Sequence, residues 1–140
     1  MVAKAGAAYV LSVFAVGFAC GAVRVTLLLP QIGATLAVLA EAPIMLAASW
    51  FLGGWCIRRF VVPARPGPRV AMGAVGFALL MGLESGLAVL AFGQSIDAWF
   101  AAFATPAGMI GLLAQLGFAA MPLLRLMVPP RGRRWTGTGV

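Results

Sequence analysis

Four long apolar stretches, separated by short polar or turn-forming segments, dominate the chain. They run from about residue 5 to 29, 30 to 57, 70 to 92 and 106 to 128. Each approaches or exceeds the roughly 20 residues that an α-helix needs to cross the hydrocarbon core of a bilayer. Because backbone polar groups cannot stay unpaired in lipid, such stretches are expected to be helices. The pattern predicts an all-α integral membrane protein, a four-helix transmembrane bundle forming a single domain over residues 1–140.

The connections between these stretches predict how the helices follow one another. Pro30–Gly33 is so short that the first two spans should form a tight antiparallel hairpin. A polar, proline-rich linker follows the second span, over about residues 58–69. After the third span, Ser95 and Thr105 each precede a helical pattern and can act as N-caps, with Pro106 at the first position of the last span. We therefore expect a short interfacial helix just before the last span.

The composition supports a membrane location and excludes several kinds of protein. Apolar residues make up 63% of the chain and charged residues only 9%, with ten Lys+Arg, three Asp+Glu and no His. Soluble domains carry about 25% charged residues, and disordered chains are more polar still. With no His and only two Cys, the chain lacks the ligands for bis-His haem and for His- or Cys-rich zinc sites. We expect no metal and no cofactor.

The distribution of Lys and Arg predicts the orientation of the chain. Lys4 precedes the first span, four arginines lie between the second and third, and four more lie at or after the end of the fourth, including those of the basic tail, residues 129–140. If both termini face the cytoplasm, nine of the ten cations lie on the cytoplasmic side. The richness in Ala, Gly, Val, Leu and Arg suits a bacterium, so we expect a bacterial inner (plasma) membrane.

Each of the four spans places a charged or amide side chain in the outer half of the membrane, and the long side chain of Arg24 covers its remaining offset in depth. Charge inside a span is costly and needs a partner or water. With a helical rise of 1.5 Å per residue, Arg24 lies roughly 9 Å, Glu41 roughly 16 Å, Glu84 roughly 15 Å and Gln115 roughly 14 Å below the outer turns. These four residues are therefore expected to form one intramembrane polar layer in the outer half of the bundle.

This layer has more than one interpretation. Arg24 can neutralise Glu41 or Glu84 and so fix the packing of the bundle as a structural ion pair. Alternatively, because two carboxylates face one guanidinium, full ionisation leaves a net charge of −1, and one carboxyl group is expected to take up a proton. A bound lipid or a quinone-like ligand in the same layer is a third interpretation.

Small residues and one proline are expected to shape the helices near these charges. Gly17 and Gly21 form one GxxxG step and Gly82 and Gly86 another, and such steps allow helices to pack closely in a membrane. Pro43 has no N–H for the carbonyl four residues before it, so a helix kink is expected beside Glu41.

The basic residues of the linker and tail suggest contacts with lipid rather than with nucleic acid. Membrane lipids are expected partners, with anionic headgroups contacting Arg58, Arg59, Arg65 and Arg69. The basic run after the last span is too short and too close to the membrane for a nucleic-acid-binding domain. Ordinary positive-inside topology also accounts for these cations.

Two classes of function remain after these exclusions. The chain offers no positioned nucleophile and base, so we expect no catalytic residues and no enzyme. One hypothesis is a non-catalytic accessory or structural subunit of a larger membrane complex, and the other is a small homo-oligomeric proton-coupled carrier or ion channel that uses Glu41 and Glu84. We favour the first, because the chain is small and lacks the matched broken helices of larger transporters. An enzyme acting on a lipid ranks third.

Overall fold

The described part of the protein is helical from its first residues to its last. The computed structural model describes residues 1–128, and the predicted basic tail, residues 129–140, lies outside them. Five α-helices follow one another: α1 (Val2–Val23), α2 (Leu29–Arg59), α3 (Pro66–Leu90), α4 (Ile96–Ala102) and α5 (Pro106–Leu124). A π-helical turn, Arg24–Leu28, joins α1 to α2, and a 3-10 turn, Arg125–Met127, follows α5. Within residues 1–128 the all-α prediction is confirmed.

Three helical segments are long and apolar enough to cross a membrane, namely Val2–Arg59, Pro66–Leu90 and Pro106–Met127. The first of these is interrupted at Gly33, where φ is 79° and ψ is 169°. This backbone conformation is essentially restricted to glycine. On either side of Gly33 the chain runs in opposite directions, since a Cβ added at Gly17 would lie 3.1 Å from Cε of Met45. The chain therefore turns back on itself at the predicted hairpin.

The hairpin differs from the prediction in where its first limb ends. Pro30 and the two residues after it lie in a helix rather than in a turn, and the break comes only at Gly33. The π-helical turn just before Pro30 explains this, because the N–H of Leu29 donates to the carbonyl of Arg24, one residue further back than in an α-helix. Such a widened turn gives room to a proline ring, which would otherwise clash with a carbonyl of the preceding turn.

The helices pack in a closed ring. Contacts join α1 to α2, α2 to α5, α5 to α3, and α3 back to α1, while the short α4 contacts α3. The best-buried side chains lie in the half of this ring where α1 begins and α2 ends, and they include Tyr9, Val13, Cys56, Met72 and Phe118. Within this buried group the aromatic ring of Tyr9 stacks on the aromatic ring of Phe118, and the two ring centroids lie 4.3 Å apart.

Side-chain caps set the start of both α4 and α5. Oγ of Ser95 accepts a hydrogen bond from the N–H of Ala98 at 3.1 Å, and Oγ1 of Thr105 accepts one from Gly108 at 3.0 Å. Each bond satisfies a backbone donor that a helix leaves free in its first turn. Pro106 is the first residue of α5. The short helix before the last apolar helix is therefore present, and its position at the membrane interface stays a prediction.

Candidate functional site

The first half of the predicted polar layer is an ion pair across the hairpin. Nε of Arg24 lies 2.6 Å from Oε2 of Glu41, and this is the one ion pair within residues 1–128. The side chains are 35% and 15% exposed. Of the two carboxylates considered as partners, Arg24 thus contacts Glu41. The contact is close but not an aligned hydrogen bond, because Nε of Arg24 is buried without a hydrogen-bond partner among the described residues.

The second half joins α3 to α5. Nε2 of Gln115 donates a hydrogen bond to Oε2 of Glu84 at 2.6 Å. Oε1 of Gln115 is buried and has no hydrogen-bond partner within residues 1–128. Glu84 is therefore in direct contact with a neutral amide, whereas Glu41 is in direct contact with a cation.

These two pairs belong to one group, which we call the polar cluster: Arg24, Glu41, Glu84 and Gln115. The charges of Arg24 and Glu41 both act on Glu84, so the pairs lie near each other. With every group ionised the polar cluster carries a net charge of −1. The structure thus brings all four predicted residues together across the bundle, as two unequal pairs.

The backbone that follows Arg24 departs from a regular α-helix, while Arg24 itself keeps helical angles, with φ of −58° and ψ of −49°. Arg24 is the first residue of the π-helical turn. Oγ1 of Thr26 donates to the carbonyl of Ala22 at 2.7 Å, a bond to the preceding turn of its own helix. Single π-helical turns inside α-helices occur frequently at functional sites. The widened turn follows from Pro30 and was not predicted from the sequence.

The predicted packing glycines fall into two groups. A Cβ added at Gly17 would contact Met45, and one added at Gly21 would lie 3.8 Å from Nη2 of Arg24. By contrast, a Cβ added at Gly82 or Gly86 would meet no atom of the described residues within 4 Å. These last two glycines line a shallow apolar groove that α3 forms with Phe14 of α1. Among the described residues, Gly17 is therefore the one of these four glycines whose added Cβ would meet a side chain of another helix.

The predicted kink at Pro43 is not the main break in its helix. Pro43 is exposed and lies inside α2, whose non-helical backbone angles occur at Gly33. Proline fixes φ at a value that a helix accepts and removes one hydrogen bond, whereas glycine alone readily adopts the angles seen at Gly33. The change in chain direction therefore lies ten residues before Pro43.

The predicted lipid-contact arginines are not all alike. Arg58, Arg59 and Arg65 are exposed, as expected of side chains that reach headgroups. Arg69 is only 7% exposed, unlike the other three, and its contact with a lipid headgroup stays a prediction. Its Nε donates to the carbonyl of Pro63 at 3.1 Å, because the linker folds back toward the start of α3.

Sequence reasoning also missed Arg125, which folds inward at the end of α5. Its Nε donates to the carbonyl of Trp50 at 2.9 Å, and its guanidinium lies 4.5 Å from the centre of the Trp50 ring. The guanidinium occupies the space where a Cβ of Gly54 would be. Gly54 follows Trp50 by four residues and so shares its helix face. The four-residue spacing of Trp50 and Gly54 was therefore the sequence feature that could have indicated a space for the flat guanidinium group of Arg125.

Comparison with protein-family models, with curated proteins and with solved structures finds no match for this chain. Among residues 1–128, no group of three or more His, Cys, Asp or Glu side chains is placed to hold a metal ion. The features of the described residues that bear on function are the polar cluster, the Gly82–Gly86 face of α3 and the basic end of the bundle.

Proposed function

We propose that the protein is a small, non-catalytic accessory subunit that packs against another membrane protein through the Gly82–Gly86 face of α3. The observation that carries this proposal is the open space at both glycines among the described residues. In lipid, close van der Waals packing drives helix association, and small residues allow it. A small-residue step at which an added Cβ would meet no described atom within 4 Å is suited to a helix from another chain.

A four-span topology in a bacterial inner membrane, with both termini in the cytoplasm, fits this role. The hairpin at Gly33 divides Val2–Arg59 into two limbs, each long enough to cross a bilayer. The contact of Gly6 with Met72 and that of Gly54 with Arg125 bring four helix ends to one side of the bundle. That side carries every described cation except Arg24: Lys4, Arg58, Arg59, Arg65, Arg69 and Arg125. The positive-inside rule assigns it to the cytoplasm.

The test is a gentle affinity pull-down from native membranes with mass spectrometry of every co-purifying chain. The protein should bring down a stoichiometric membrane partner, and Gly82→Leu should remove that partner. Gly111→Leu is the matched control, because a Cβ at Gly111 on α5 would also meet nothing within 4 Å among the described residues. A partner that survives Gly82→Leu would contradict the proposed interface, and a protein that purifies as a homo-oligomer alone would contradict the accessory role.

A second candidate, a small homo-oligomeric proton-coupled carrier or ion channel, is favoured by the chemistry of the polar cluster. The side-chain amide of Gln115 can form a hydrogen bond with Glu84 whether the Glu84 carboxyl group is ionised or protonated. The N–H of Gln115 donates to a carboxylate, and after a flip of the amide its oxygen accepts from a carboxylic acid. A carboxyl group that can take up a proton beside an Arg–Glu pair is what a proton-coupled path requires.

Glu84→Gln separates the two candidates. In liposomes, a carrier should lose proton-linked flux with this change while its helical content and oligomeric state stay intact. An accessory subunit should instead lose stability or assembly, with no pH-dependent phenotype. Glu41→Gln is the comparison variant, because it leaves Arg24 without its partner and is expected to destabilise the bundle in either case.

A further inference from the structure

The basic end of the bundle contains two inward-facing arginines without an acidic partner. Arg69 is 7% exposed, and its Nη1 atom has no hydrogen-bond partner within residues 1–128. Arg69 and Gly73 share a face of α3, and Gly73 packs against the backbone of Ala119 in α5. The antiparallel course of these helices brings Arg69 to the end of α5 where Arg125 lies. The positive charges of the two residues act on each other.

The side chains of the protein cannot neutralise this pair. The chain has three acidic residues in all. Glu41 and Glu84 belong to the polar cluster in the other half of the bundle, and Asp97 lies in the first turn of α4. Arg58 adds a third positive charge that acts on Arg125. A buried charge is costly unless it is paired, and no acidic side chain within residues 1–128 pairs with Arg69 or Arg125.

We propose that Arg69 and Arg125 form a binding site for a phosphate group at this end of the bundle. Phosphate oxygens match the flat fork of donors that guanidinium groups present, and two such groups can share one phosphate. In each residue Nε is already bound to a backbone carbonyl, of Pro63 and Trp50 respectively, which holds the guanidinium in place. The phosphate belongs either to an anionic lipid headgroup or to a free anion.

The linker has a feature that would allow the phosphate to reach Arg69. Val61, which is exposed, has φ of 50°. A β-branched residue in this left-handed region is strained, so the segment that covers Arg69 has a less strained conformation available to it. A shift at Val61 that keeps the bond from Nε of Arg69 to the carbonyl of Pro63 would expose the unpartnered Nη1 atom. The site lies at the opposite end from the polar cluster and away from the Gly82–Gly86 face, so its test is independent of the proposed function.

The experiment is a thermal-unfolding titration of the full-length purified protein in phosphate-free detergent. The probes are phosphatidylglycerol, phosphatidylcholine and inorganic phosphate, each at constant ionic strength set with sodium chloride. A ligand that binds the folded state raises the Tm in a saturable way. A response to phosphatidylglycerol alone identifies a lipid headgroup as the ligand, and a response to inorganic phosphate identifies a free anion. A Tm that responds to none of the probes beyond the effect of salt overturns the proposal.

Two arginine-to-lysine variants show whether the response comes from the proposed site. Arg69→Lys keeps the charge and the apolar stem but loses the fork, so the apparent Kd for the responding probe should rise about tenfold or more. Arg59→Lys is the matched control, because Arg59 is exposed at the same end, and its Kd should stay that of the wild type. Should Arg69→Lys fail to fold, Arg125→Lys takes its place with the same expectation. Equal affinity in the site variant and the wild type, or an equal loss in the control, overturns the proposal.

Discussion

A hydroxyl group in α1 replaces a backbone donor that α5 lacks. The carbonyl of Phe118 would normally accept a hydrogen bond from the residue four positions later, but that residue is Pro122, which has no N–H. The hydroxyl of Tyr9 donates to this carbonyl instead, at 2.9 Å, and Tyr9 is fully buried. The bond therefore satisfies an acceptor that water cannot reach, and it ties the first helix to the last.

Tyr9→Phe should destabilise the protein, and by an amount that depends on Pro122. The change keeps the stacked ring and removes only the donor, which leaves a buried carbonyl unsatisfied at a cost of about 1–3 kcal/mol. In a Pro122→Ala background the backbone N–H of residue 122 is restored and can donate to the same carbonyl. There Tyr9→Phe should cost only a few tenths of a kcal/mol, so the coupling energy should be about 1 kcal/mol or more.

The assay is a double-mutant cycle measured by SDS-induced unfolding in mixed micelles, followed by far-UV circular dichroism. Ser12→Ala is the control for loss of a hydroxyl, because Oγ of Ser12 only donates to the carbonyl of Ala8 in its own helix. Its effect should stay within about 0.5 kcal/mol. If Tyr9→Phe costs the same with Pro122 and with Ala at that position, the hydroxyl is not replacing the missing donor and the reasoning is refuted.

Three further predictions concern backbone positions. Gly73→Ala should lower the free energy of unfolding by about 1–3 kcal/mol in the same SDS assay. The new Cβ would overlap the backbone carbonyl of Ala119 and force α3 and α5 apart. An unchanged free energy of unfolding would contradict this close approach. Thr105→Ala should cost about 1 kcal/mol through loss of the cap on Gly108, with Thr105→Ser retaining most of the stability. Gly33→Ala should cost about 1–3 kcal/mol, whereas Gly33→Asn should cost less if the hairpin tolerates a shift to the ordinary left-handed region.

Local chemistry explains which features could be predicted from the sequence. The apolar stretches predicted the helices, and Ser95 and Thr105 predicted their caps, because each depends on residues close together in the chain. The common depth of Arg24, Glu41 and Glu84 followed from helical rise alone. Their pairing did not, since it depends on the tertiary contact that brings Glu41 rather than Glu84 to Arg24. Whether the polar cluster has a functional role stays a prediction.

Features that depend on distant contacts could not be read from the chain. The inward course of Arg69 and Arg125 was not predicted from the sequence. The position of Arg69 depends on the fold of the linker, which brings the carbonyl of Pro63 to it. The position of Arg125 depends on the space that Gly54 leaves. Likewise, Pro122 predicts an unsatisfied carbonyl in α5, but nothing local indicates that Tyr9 satisfies it. In each case the partner is backbone or empty space rather than a complementary side chain.

The two ends of the bundle differ in how far they can balance their own charge. In the polar cluster, Arg24 is paired with Glu41, and Glu84 has an amide donor, so a proton on one carboxyl group suffices to make the group neutral. At the basic end no change of protonation near neutral pH helps, because guanidinium groups stay charged. A phosphate bound at Arg69 and Arg125, as we propose, would supply the negative charge that no acidic side chain within residues 1–128 supplies there. If that phosphate belongs to a lipid headgroup, the two arginines that share it would hold the bundle at a fixed depth, while the exposed arginines contribute long-range attraction.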